Sequence, residues 1–409
     1  MAKGRDAKPH IGIFGRRNYG KSSFINRLAD QDIAIVSDIA GTTTDPVKKS
    51  FEITGFGPVV LIDTAGIDDE GELGAKRIQK TQRIIDSVDL AILLITNNTF
   101  ENFEKDLIKE FHKRDTPFFI VQNKSDLSKL NEEFKINIQQ KYECNLIEFN
   151  SLSADNLEKI IETIKITVPE SSYKNPSFLS DIISYGDIVL LITPIDVEAP
   201  EGRLILPQVQ MIRDILDNDC VAIVLKEREV DNFLRTTKLK PKLAITDSQV
   251  FFKADASIPK DIPLTSFSIV LAKHKGDFTN YLKGTPKISE LKDGDKILLL
   301  ESCSHHVSCD DIGRMKIPRW IRNFTGKELD FKVVAGLDEL PDDLNKYALV
   351  IQCGGCMITQ KQIKNRIKHA IDNDIPVTNY GMAIAYVQGI YERAIQPFAK
   401  SIQTGQEYL

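Results

Sequence analysis

The stretch Ile11-Gly12-Ile13-Phe14-Gly15-Arg16-Arg17-Asn18-Tyr19-Gly20-Lys21-Ser22 decides the fold of the first part of this chain. An apolar run enters G-x-x-x-x-G-K-S, and residues 23–28 then read as a helix start. That order, strand then glycine loop then helix, is the context a phosphate-binding loop needs. The glycines let backbone N–H groups curl around phosphate oxygens at a helix N-terminus. Lys21 adds a cation at the β- and γ-phosphates. Ser22 offers a hydroxyl to Mg2+, and Ser23 continues the same turn. A chance glycine loop is the bland alternative, but it does not account for the ordered motifs downstream of it.

Gly41-Thr42-Thr43-Thr44-Asp45 is a polar loop in which Thr43 can complete a Mg2+ shell. Residues 59–62 form a buried-strand run ending in Asp63-Thr64-Ala65-Gly66. Asp63 is placed to hold Mg2+ through water, and the Gly66 N–H to contact the γ-phosphate. A later strand ends in Asn123-Lys124-Ser125-Asp126. The Asp126 carboxylate can accept from the N1 and N2 donors of guanine. Adenine would leave it unpaired, so the base choice follows. Strands alternating with helices imply a doubly wound parallel α/β sheet with its ligand at the strand carboxyl ends.

The chain is too long, at 409 residues, for one ordinary core. An apolar content of 42% and a charged content of 27% are those of a globular protein. A net charge of -5 leaves no broad basic field for nucleic acid or anionic lipid. No apolar run approaches the ~18 residues of a membrane span, and the polar first residues lack a signal-peptide core. A cytoplasmic protein is expected. Its six cysteines are too few for a disulfide scaffold, so grouped thiols point to metal or redox chemistry.

Residues 9–168 resemble the bacterial small GTPases typified by TrmE, Era and Der. The resemblance makes Gly15 to Ser22, Thr43, Asp63 to Gly66 and Asn123 to Asp126 the first four GTPase motifs. The fifth is blurred: Ser151-Leu152 competes with Ser153-Ala154. It also implies catalytic roles for Lys21, Thr43, Asp63 and Gly66, and nucleotide contacts from Gly15, Asn18, Gly20, Ser22, Ser23, Lys124 and Ser151. Ile67 stands where Ras-like enzymes carry a water-orienting glutamine, which an isoleucine cannot replace. Asn18 matches the asparagine that holds K+ in potassium-activated members. Slow, K+-stimulated hydrolysis is expected. Asp68, Asp69, Glu70 and Glu72 read as solvated loop charge.

A polar, proline-containing linker follows residue 168. Residues 178–264 then read as a small α/β unit without a phosphate loop, and Cys220 in it as a core thiol. Its few strands leave edges to protect, so pairing with a second copy is expected. From residue 268 the strand–helix pattern restarts as a second doubly wound sheet. One strand ends in Glu301-Ser302-Cys303-Ser304-His305 and another in Gln352-Cys353-Gly354-Gly355-Cys356. If these strands are neighbours, three thiols converge on one rim. The spacing alone leaves a Cys3His zinc site and a three-thiolate [4Fe-4S] cluster level, with a redox dithiol behind.

A GTPase of this branch, then a small α/β domain, then C-x-H followed by C-x-x-C, resembles the [FeFe]-hydrogenase maturation GTPases. The likeness runs through essentially the whole chain. It implies three domains: a P-loop GTPase at 1–170, a dimerisation domain at 178–264 and an iron–sulfur domain at 268–409. It implies a scaffold that binds GTP, GDP, Mg2+ and a [4Fe-4S] cluster. Such a scaffold receives a [2Fe] precursor from two radical-SAM maturases, HydE and HydG, and delivers it to apo-hydrogenase. Cys303, Cys353 and Cys356 match the cluster thiolates. Gln352 replaces the family's histidine before C-x-x-C, and a neutral amide is a poor iron ligand. Two candidates for a fourth ligand remain, Glu301 and His305; Glu301, two residues before Cys303 on an extended strand, stands first. His306 and Cys309 read as bystanders, and Cys144 as structural. The alternative is a ribosome- or tRNA-associated GTPase with a structural zinc site.

Overall fold

The computed structural model describes residues 8–29, 47–53, 56–64, 81–82, 84–169, 177–194, 204–302, 311–336, 338, 340–341, 343–356 and 358–399. The chain divides into two compact units, Met1–Asn175 and Pro176–Leu409.

The first unit holds strands β1 (His10–Phe14), β2 (Val47–Ile53), β3 (Gly57–Asp63), β4 (Leu90–Ile95), β5 (Phe118–Gln122) and β6 (Leu146–Glu148). Their order across the sheet is β2-β3-β1-β4-β5-β6, with only the β2–β3 pairing antiparallel. Strands β4 and β5 are buried at every position, which is why they read as unbroken apolar runs. Helices α1 (Lys21–Ala29), α2 (Asn102–Lys113), α3 (Glu132–Tyr142) and α4 (Leu157–Thr167) pack with it. Two apolar clusters form its core, one containing Ile11, Phe24 and Phe149, the other Phe14, Leu93 and Phe111. β1 lies between β3 and β4, so the direction of winding reverses at its carboxyl end, where an α/β sheet opens a crevice.

The second unit contains two four-stranded parallel sheets. The first has strands β7 (Ile188–Ile192), β8 (Val221–Leu225), β9 (Leu243–Thr246) and β10 (Leu264–Ser266), ordered β10-β9-β7-β8. Helices α5 (Leu206–Asp217), α6 (Val230–Thr237) and α7 (Phe251–Ser257) connect them. Strand β10 runs directly into α8 (Phe267–Lys275), and Ser266 caps that helix by accepting from the Ile269 N–H. Helix α9 (Phe278–Gly284) follows.

The second sheet has strands β11 (Lys296–Leu300), β12 (Asp330–Val334), β13 (Tyr347–Gln352) and β14 (Val377–Asn379), ordered β12-β11-β13-β14. Its helices are α10 (Ile317–Thr325), α11 (Gln360–Asp372), α12 (Tyr380–Val387) and α13 (Tyr391–Ile395). One apolar core joins Leu190 and Ile245 of the first sheet to Leu298 and Val350 of the second. The expected domain join at 264–268 therefore falls inside this unit, where β10 meets α8.

Two helices differ from the periodicity. The stretch 382–394 reads as one closing helix, but it breaks after Val387, and Gly389 at φ 73° makes the turn before α13. The sequence pattern also reads 310–324 as one helix, but among the described residues a π-helical turn, Ile312–Lys316, comes first and α10 follows it. Asp311 caps that turn by accepting from the Arg314 N–H at 2.7 Å.

Candidate functional site

The phosphate loop leaves the end of β1 through Gly15 at φ 145°, a backbone region that side-chain-bearing residues rarely enter. A Cβ there would also lie 2.6 Å from the Leu94 carbonyl. Lys21 is buried, and its Nζ donates to the carbonyls of Gly15 at 2.5 Å and Arg16 at 3.0 Å. The Phe24 N–H bonds the Gly20 carbonyl at 2.8 Å, so the helix starts at once and turns its first amides toward the loop. The Ser22 hydroxyl donates to the Asp63 carboxylate at 3.1 Å. The two side chains expected around Mg2+ thus meet across 41 residues of sequence.

The guanine motif is fastened to the same loop. Buried Asn123 donates from Nδ2 to the Tyr19 carbonyl at 3.0 Å. Its Oδ1 accepts from the Ser151 hydroxyl at 2.8 Å. Ser153 instead bonds Asp155, so of the two registers of the fifth motif Ser151 is the one joined to the fourth. Asp126 is exposed beside them. Asn18 takes φ 64° at the crest of the loop. Thr43 and Gly66 lie outside the described residues, as do Ile67 and the acidic residues 68–72.

One element escaped the sequence reading. Arg16 sends Nε and Nη2 to Glu104 of α2, both at 2.8 Å, and Nη2 also to Glu101 at 3.0 Å. The Glu104 carboxylate is fully buried. Its hydrogen bonds to Arg16 raise the guanidinium pKa against the opposing effect of burial. A forked pair of this kind holds the loop's second residue with defined geometry. Glu104 also accepts from the Glu101 N–H at the start of α2, a local pattern that could have flagged its position but not its partner.

The second site lies at the carboxyl rim of the second four-stranded sheet. Strands β11 and β13 are adjacent, with Leu299 opposite Ile351 and Leu300 opposite Gln352. The ladder continues one step, because the Cys353 N–H bonds the Leu300 carbonyl at 2.9 Å. Glu301 and Cys353 thus leave the two strands side by side. Cys303, His305, His306 and Cys309 lie outside the described residues. Among those described, no three His, Cys, Asp or Glu side chains come together to hold a metal. Cys353 and Cys356 are half-buried cysteines.

The surroundings of Cys353 suit a soft, anionic thiolate centre. Its sulfur lies 2.8 Å from the Ser302 hydroxyl and 3.7 Å from the Gln352 Nε2. Hydrogen bonds to sulfur are among the levers that tune a cluster. Gln352 is fully buried; its amide also donates to Ser302, while its Oε1 has no partner among the described residues. Buried Arg366 of α11 donates to the Glu301 carbonyl at 2.6 Å and the Val334 carbonyl at 3.2 Å. Burial lowers its pKa, while the charge of Cys353 opposes that shift.

Glu301 is buried, and its carboxylate is taken by Arg314 of the π-helical turn at 2.9–3.2 Å. That contact raises the Arg314 pKa. Of the two thiols read as structural, burial pushes Cys144 up to about 12, and Cys220 lies in the core with its sulfur at 3.0 Å from the Ser184 carbonyl.

Known proteins share this architecture in parts. Residues 10–124 match the family model for a 50S ribosome-binding GTPase. Residues 178–276 match the hydrogen maturase F dimerization domain, and residues 279–397 the hydrogen maturase F tetramerization domain. The tRNA modification GTPase MnmE of Chromobacterium violaceum is 42% identical over 120 residues, 29% of this chain and 26% of that protein. GTPase Der of Campylobacter fetus is 30% identical over 250 residues, 59% of this chain and 52% of its own. The chain thus spans between about a quarter and a half of these curated relatives. Among the described residues, no helix is long and apolar enough to cross a membrane. With a GTPase domain in front and two hydrogen maturase F domains covering most of the remaining residues, the chain belongs to the hydrogen maturase F family.

Proposed function

We propose that this protein hydrolyses GTP with Mg2+ and K+ and serves as a scaffold for building the [FeFe]-hydrogenase cofactor. In this reading it takes a [2Fe] precursor from the two radical-SAM maturases, passes it to apo-hydrogenase, and works as at least a dimer. The observation that carries the reading is the pairing of β11 with β13, which sets Glu301 and Cys353 side by side in a family whose first domain is a GTPase. Cys303, Cys353 and Cys356 would hold a [4Fe-4S] cluster, with Glu301 or His305 as the fourth donor. When bound, the cluster supplies an iron whose fourth ligand can exchange. Glu301 would first have to leave Arg314.

In the GTPase unit, Lys21 would exchange its two carbonyl partners for phosphate oxygens, so its charge reaches the site without crossing the loop. Ser22 and Asp63 would open to admit Mg2+, and Asn18 would hold K+ where charge develops between the β- and γ-phosphates. Two measurements test the reading. Protein purified without oxygen should contain iron and acid-labile sulfide; stoichiometric zinc would support the ribosome- or tRNA-associated alternative. GTP turnover should rise when Na+ is replaced by K+, and equal rates would remove the role given to Asn18.

A further inference from the structure

We infer that Lys275 is the positioning residue of the Cys353–Cys356 loop and supplies the buried positive charge that sets the potential of the centre held there. A lysine in the last turn of a helix ordinarily stays in water and complements the helix dipole. Lys275 does something else. It is 8% exposed, and its Nζ donates to the Gly355 carbonyl at 2.9 Å and the Ile358 carbonyl at 3.1 Å. These acceptors lie 80 and 83 residues further along the chain. They flank Cys356, so one ammonium ties both sides of the second thiol.

The loop needs such a tie. Gly355 sits at φ 70°, where a Cβ would lie 2.1 Å from the Ile363 side chain. Gly354 packs against Ser268, near the start of the helix that carries Lys275. Ser268 in turn bonds Asn379 and the Gly381 N–H beside the same rim. Burial first, and then Lys275 and Lys273, hold the neighbouring His274, packed on Phe178, down at about pKa 4. Lys273 is committed elsewhere, to Asp181. Lys275 is therefore the cation of this helix end that is directed into the thiol loop. It also belongs to the segment matching the dimerization domain, while both thiols belong to the segment matching the tetramerization domain. A buried cation stabilises the reduced, more negative state of a thiolate-bound cluster, and its removal lowers the potential.

This inference rests on the cluster reading above, and the test separates the two. Full-length wild type, Lys275→Met, Lys275→Arg and the control Lys292→Met are compared. Lys292 is exposed at the opposite end of the sheet from the thiols. After iron–sulfur reconstitution, potentiometric titration followed by EPR should show a lower midpoint for Lys275→Met, recovery in Lys275→Arg and no shift in Lys292→Met. In iron-free protein, amide hydrogen exchange across residues 353–358 should rise at least tenfold in Lys275→Met. An unchanged midpoint, or one shifted equally by Lys292→Met, overturns the electrostatic role. Unchanged exchange overturns the positioning role, and this arm also decides the case in which Lys275→Met takes up no cluster. Wild type that binds no iron defeats the cluster reading, with the exchange arm still deciding how the loop is held.

Discussion

As the proposed acceptor for the N1 and N2 donors of guanine, Asp126 would place the base specificity on two oxygen atoms. Asn in its place would present a donor where guanine also presents one. Asp126→Asn should weaken GTP binding by about 100-fold or more, since hydrogen bonds to a charged group contribute roughly 1.5–3 kcal/mol each, and should improve binding of xanthosine triphosphate. Titration with fluorescent nucleotides reads both, and unchanged GTP affinity would refute the assignment. His274 gives a pH dependence. Its folded pKa, about 4, lies below the ordinary 6.5, so between these values the unfolded chain binds more protons. Stability should fall as pH drops through this window, by about 2 kcal/mol at pH 5. Urea unfolding at pH 7 and pH 5 should show this loss in wild type and less of it in His274→Leu; equal losses would dismiss the assignment. Neither His274 nor the Arg16–Glu104 pair was legible in the sequence. The phosphate loop could be read because its residues are consecutive, whereas Arg16 and Glu104 are 88 positions apart and nothing local names one as the partner of the other.

Strand β8 is an edge, and the exposure of its side chains departs from that of a buried strand. Val221 and Val224 are 50% and 40% exposed, while β7 beside it is almost wholly buried. An apolar edge with unpaired backbone groups invites another strand. Val224→Lys should therefore yield a species of lower mass by light scattering without loss of GTP turnover. Retention of the wild-type mass at micromolar concentration would argue against self-association through this edge. Strands were the most legible elements: the buried residues 297–300 of β11 are an unbroken apolar run, because a strand buried on both faces has no polar interruptions. Helix ends were less so. Gly389 lies in an apolar stretch whose period continues across it, and the π-helical turn arises from the cap at Asp311 and the contact between Glu301 and Arg314. Neither leaves a periodic trace.

At the scale of the molecule, the chain divides between Asn175 and Pro176. Residues 1–175 made alone should bind GTP, and residues 176–409 alone should self-associate and take up iron. Calorimetry and metal analysis on the two pieces check this, and loss of nucleotide binding in the first piece would contradict it. The pattern of the sequence revealed three α/β segments but not that the last two share one core, since packing between sheets is written in side-chain shape. Helix α8 runs from the end of one sheet to the thiol loop of the other, and Leu190 and Val350 sit in one apolar cluster. The boundary between the two recognised family segments, at residues 276–279, therefore crosses a single compact unit with one shared apolar core. Two family segments thus meet in one set of packed side chains. A swap of either module between relatives would succeed only if both faces of that shared core travelled together.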